Sequence, residues 1–147
     1  MKSNMLKVLM LAASFGLAAC GDDTVGLDER QEAVAGSYVS SAATPATVLT
    51  TTEVGETIDW LAQGAVLTLE LRANGTTAGR LMVPGMDEDG GDFDVDLTGT
   101  WTLQGDTIHL DHEADTFLRD MPLRVEGNRL IGDRTFDGVR VQVVFRR

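Results

Sequence analysis

The sequence predicts an all-β protein, an antiparallel up-and-down meander closing into a barrel of eight to nine strands. Three observations carry the prediction. Apolar side chains recur with period two along most of the chain, the mark of strands with one buried face. Glycine-containing turn pairs separate these runs at short intervals. The chain has 147 residues and 43% hydrophobic residues, enough for the core of one domain and too few residues for two ordinary ones.

The first strands are expected at residues 36–41 and 47–54. In Glu56-Thr-Ile-Asp-Trp-Leu-Ala62, Ile58 and Leu61 fall at helical spacing and Gly64 stands as a stop. A short helix near residues 56–62 would cap an open barrel end, although Thr-rich neighbours suit an extended strand equally. Residues 66–72 place Leu67, Leu69 and Leu71 on one face, with Thr68, Glu70 and Arg72 on the other. Asn74-Gly75 then predicts a type I′ hairpin turn into a strand over 76–83. A second hairpin joins 99–103 to 107–111 across Gly105-Asp106, with Trp101, Leu103, Ile108 and Leu110 as its core residues. A third joins 123–126 to 129–131 across Gly127-Asn128. The last strand, 139–146, turns Val139, Val141, Val143 and Phe145 inward.

A meander of this length has two edges to hide, and closure into a barrel removes both. A β-sandwich satisfies the same alternation. The short turns favour neighbouring strands over Greek-key crossings, and hence the barrel.

Residues 1–19 have the character of a signal peptide. Lys2 and Lys7 supply positive charge, and Val8 to Ala19 is an apolar stretch too short to span a bilayer. The stretch ends in Leu17-Ala18-Ala19-Cys20, which resembles the lipobox of bacterial lipoproteins. The resemblance implies cleavage before Cys20, lipid attachment to Cys20, and membrane association through two or three acyl chains. By the same resemblance, Gly21 directly after the cysteine favours the outer membrane over the inner, because an Asp there would signal inner-membrane retention. Residues 20–35 follow as the lipidated cysteine and an acidic flexible tether. Residues 36–147 are the barrel domain.

Leu69-Glu-Leu-Arg-Ala-Asn-Gly-Thr76 and Gly99-Thr-Trp-Thr-Leu-Gln-Gly-Asp-Thr-Ile-His-Leu110 together are similar to small bacterial lipocalin-like lipoproteins. Gly36-Ser37-Tyr38 stands where lipocalins carry a Gly-x-Trp opening, with Tyr in place of Trp. The resemblance spans residues 36–147 and implies a calycin-type barrel, in some members with an apolar cavity. It names no ligand.

Charge excludes one class of partner. Both lysines lie in the leader, so the chain beyond it has ten Arg against 23 Asp and Glu, a net charge of −13. That balance repels phosphate backbones, and no nucleic acid is expected as a partner. Within Asp87-Glu-Asp-Gly-Gly-Asp-Phe-Asp-Val-Asp96, the carboxylates of Asp87, Asp89, Asp92 and Asp94 offer oxygens to a hard cation. EF-hand spacing fails, since Leu97 and Leu103 occupy the sixth and twelfth positions counted from Asp92. The stretch reads better as a solvated loop, with Asp92, Asp94 and Asp96 on the outer face of the strand that follows. His109-Leu-Asp-His-Glu113 has a zinc-like composition, but the chain holds no third histidine. Two surface histidines are the better reading. Arg124 and Arg129 flank a turn beside Glu126, as surface pairs.

No Gly-x-Ser-x-Gly motif and no glycine-rich loop opening a helix is present, and the one cysteine is assigned to lipid. The expectation is a protein that is not an enzyme and uses no cofactor or metal. Two functional readings remain. In one, a lipid-anchored barrel of the cell envelope binds a small apolar ligand, with a lid around Trp60 and with Trp101 as a candidate cavity residue. In the other, a filled barrel serves as a non-catalytic adaptor or structural lipoprotein acting through loops 84–92 and 112–120.

Overall fold

The computed structural model describes residues 29–147. The expected signal peptide, Cys20 and residues 21–28 of the tether lie outside them. Among the described residues, eleven strands and two short helices make up the fold. The helices are α1 (29–34) and α2 (Phe117–Asp120). The strands are β1 (Gly36–Ser41), β2 (Val48–Glu53), β3 (Glu56–Asp59), β4 (Val66–Leu71), β5 (Thr76–Val83), β6 (Phe93–Asp96), β7 (Gly99–Gln104), β8 (Thr107–His112), β9 (Leu123–Glu126), β10 (Arg129–Phe136) and β11 (Val139–Arg146).

Eight of them close an antiparallel barrel in the order β1-β4-β5-β7-β8-β9-β10-β11, with β11 returning to β1 through Val39 opposite Arg146. The interior follows from period-two alternation. Leu67, Leu69 and Leu71 of β4, Ile108 and Leu110 of β8, and Val143 and Phe145 of β11 are all buried. Tyr38, Trp101, Leu123 and Leu130 complete the packing, so the ring is filled by side chains. Each such aliphatic side chain stabilises the fold by about 1.5–3 kcal/mol.

Two strands change partner partway along. β5 pairs Thr76 and Thr77 with β7, then pairs Arg80 to Val83 with β6. β11 meets β1 near Arg146 and pairs Arg140 to Val144 with β2, which carries β3 outside the ring. The β5 fork depends on close backbone approach. A Cβ on Gly79 would strike the Thr68 carbonyl of β4, and one on Gly99 would strike the Asp111 carbonyl of β8. Only glycine allows strands to pass so near each other.

Helix α1 closes one end of the barrel. Arg30 bonds Gly105 O and Asp106, and Gln31 bonds Ala73 O, so the helix lies across the β4–β5 and β7–β8 turns. The Tyr38 hydroxyl donates to Val34 O at 2.7 Å, and the Arg147 guanidinium sits over the Tyr38 ring. Residues 29–35, expected in the flexible tether, are therefore packed structure at this end. Partial burial of Val34 and Ala35 against the core and these contacts supply the order that their polar composition hides.

Three further expectations are corrected. Residues 56–59 are strand β3, and only residues 60–64 turn, with Asp59 Oδ1 accepting from Ala62 N. Ile58 is exposed while Leu61 is buried, so the two do not share a helical face. At Asn74-Gly75 only Gly75 has positive φ, and the bonds Gly75 N to Arg72 O and Arg72 N to Thr76 O make a longer bulged turn in place of type I′. His112 is buried at 3% exposure instead of lying on the surface, because β8 continues its inward parity from Ile108 and Leu110.

Candidate functional site

At the end opposite α1, the two forks leave a gap roofed by elements outside the ring. A partly open cleft of about 310 Å³ lies there. Leu49 and Thr51 of β2 and Val141 of β11 form one wall. Leu81 and Val83 of β5 with Phe93 of β6 form the facing wall. Trp60, Met86 and the segment Asp115 to Phe117 leading into α2 complete the lining. Trp60 is held firmly: its N–H donates to Leu49 O at 2.9 Å and its indole Nε1 to Thr51 Oγ1 at 3.0 Å.

Three polar side chains line the cleft, and two are engaged. Thr51 accepts from Trp60, and Asp115 accepts from Arg119 at 2.6 Å. The third, Thr116, occupies the N-cap position of α2 without capping it. Its hydroxyl is buried and has no hydrogen-bond partner. Both imidazole nitrogens of His112 are likewise buried without partners. Burial pushes the His112 pKa below its usual 6.5, against a weaker upward pull from Asp111, which favours the neutral ring.

The other sequence candidates fall outside the cleft or at its rim. Trp101 is not a cavity residue: it is 2% exposed, and its Nε1 donates to Arg72 O at 2.8 Å. His109 and Asp111 lie exposed on the outer face of β8. Asp92, Asp94 and Asp96 are exposed as expected, and Arg80 pairs with Asp94. That hydrogen-bonded guanidinium holds the Asp94 carboxyl below the usual carboxylate range. Asp92 accepts from Gly85 N, and Asp87 accepts from Glu88 N, so both fold back on their own loop. Among the described residues no group of three or more His, Cys, Asp or Glu side chains is placed to hold a metal ion. Glu126 bridges Arg124 and Arg129 on the surface, as read from the turn. No helix among the described residues is long and apolar enough to cross a membrane.

The cleft itself was missed in sequence, because it joins β2, β5, β6, β11 and α2 through the forks. Alternation shows which side chains face inward but not where a strand exchanges partners. The arrangement suits an apolar molecule with a single hydrogen-bonding group: a hydrophobic enclosure, three aromatic rings, and one free hydroxyl. No protein-family model, no curated protein and no solved structure matches this chain.

Proposed function

We propose that the protein is a lipid-anchored component of the bacterial cell envelope, on the outer membrane, whose barrel holds a small apolar ligand in the cleft at its open end. The observation that carries the reading is the cleft: about 310 Å³, walled by aliphatic and aromatic side chains, at the end that α1 leaves open. Soluble proteins bury such surface unless it serves binding. The anchor rests on the Leu17-Ala18-Ala19-Cys20 motif, with acyl chains on Cys20.

The test is mass spectrometry on residues 21–147, secreted to the periplasm, with native and denaturing masses compared. A stoichiometric small molecule lost on denaturation supports the ligand reading and gives the ligand's mass. A bare protein that also ignores apolar fluorescent probes overturns it. A second reading, the envelope adaptor, is favoured by the filled ring and by exposed Val54 and Met86 at two loop tips. That bare-protein result would favour the adaptor.

A further inference from the structure

We infer that the cleft selects a cationic amphiphile: an apolar body, alkyl or aryl, carrying one protonated amine at the mouth. The inference rests on the ligand-binding reading above and goes further in assigning the charge of the ligand's head.

Charge around the mouth is one-sided. Residues 81–98 and 111–118, which contribute Leu81, Val83, Met86, Phe93 and the Asp115–Phe117 lining, contain nine acidic residues and no Lys or Arg. Residues 48–65, which contribute the β2 wall and Trp60, contain three acidic residues and no Lys or Arg. The basic residues on the cleft's walls at this end are already committed. Arg80 pairs with Asp94, Arg119 with Asp115 and Asp120, and Arg140 with Asp133, while Arg134, opposite the lining residue Val141, donates to Asp120 O. A carboxylate or phosphate head would enter a net negative field in which three of these four guanidinium groups are already paired with carboxylates. An ammonium head would be drawn in by the same field.

Two features of the lining agree. Trp60, Phe93 and Phe117 offer ring faces, which attract a cation as well as an apolar chain. The Thr116 hydroxyl is 7% exposed as a residue, lines the cleft and lacks a partner, so its oxygen is available to accept from an N–H donor. A buried polar group left unpaired is costly, and a bound ammonium would remove that cost.

The test compares decylamine, decanol and decanoate, all below their micelle-forming concentrations at neutral pH. Each competes with the neutral probe N-phenylnaphthylamine for residues 21–147, whose entire described core lies within residues 34–145. Expected are one decylamine per chain and an affinity for it about tenfold above that for decanoate. That preference should shrink as salt is raised, while decanol binding stays constant. Thr116→Val should weaken decylamine about fivefold and leave the probe unaffected. Equal affinity for all three compounds, tighter decanoate, or multiple amine sites indifferent to Thr116→Val would each overturn the inference while leaving an apolar site in place. Failure of the probe and of every decyl compound to bind would remove the ligand reading together with the inference.

Discussion

The indole Nε1 of Trp60 donates to the Thr51 hydroxyl at 3.0 Å, tying the turn after β3 to β2 across the cleft wall. The other tryptophan, Trp101, is sealed in the core on Arg72 O. Only Trp60 should therefore sense a ligand. Trp60→Phe is expected to abolish any ligand-dependent change in tryptophan fluorescence, and Trp101→Phe to preserve it. Titration of both variants with one apolar probe checks the assignment, and a response that follows Trp101 would place the ligand elsewhere.

The fork in β5 depends on two residues without side chains. Gly79→Ala and Gly99→Ala each push a methyl group into a neighbouring strand's carbonyl. Each should cost about 2 kcal/mol or more in urea unfolding. A loss below about 0.5 kcal/mol in either would mean the strands separate freely there.

Val54 sits at φ 49°, is 98% exposed, and precedes Gly55 at φ 85°. A β-branched residue is strained in this left-handed region, and an Asn-Gly pair is favoured. Val54→Asn should raise stability by about 1 kcal/mol, read as a higher urea midpoint at unchanged slope.

The strands of the ring were legible because each pairs an alternating apolar face with a glycine turn, as in Leu67-Leu69-Leu71 before Gly75. β3 was not, because all four of its residues are exposed and it carries no alternation. β6, Phe93-Asp-Val-Asp96, showed only its acidic outer face as a sequence signal. In α2, four residues are too few for periodicity. The burial of His112 was available from parity alone, two residues beyond Leu110, but its charge and the adjoining loop masked it. Trp60 was legible as a lid residue, while the partner of its indole depended on β2 and β3 lying side by side.

Burial holds the His112 imidazole below its usual 6.5, so the unfolded chain takes up a proton that the folded chain refuses. The stability this neutral ring preserves is full above about pH 6.5 and is lost as pH falls from there to the lower folded pKa. The slope approaches about 1.4 kcal/mol per pH unit. His112→Leu should flatten the unfolding free energy as pH falls below about 6.5. It should leave the further acid loss, below the usual carboxylate value of 3.8, that follows protonation of Asp94 and Asp133. Arg80 and Arg140 hold those two carboxyls ionised until then. An unchanged slope in His112→Leu would assign the mid-pH loss to another group.

Cys20→Ala should shift the protein from the membrane fraction to the soluble fraction, or leave it as an uncleaved precursor. A cleaved form of this variant that still sediments with membranes would rule out acylation as the anchor.

Helix α1 covers the barrel end opposite the cleft, and the chain enters the domain there. A stretch of the length of residues 21–28, fully extended, spans at most roughly 30 Å, which would bound the distance to a lipid on Cys20 if the proposed acylation occurs. If Cys20 is acylated as proposed and the entry side faces the lipid, the cleft points outward, away from the leaflet that would hold the acyl chains. Such a binder would draw its cargo from the aqueous compartment and not directly from the bilayer beneath it.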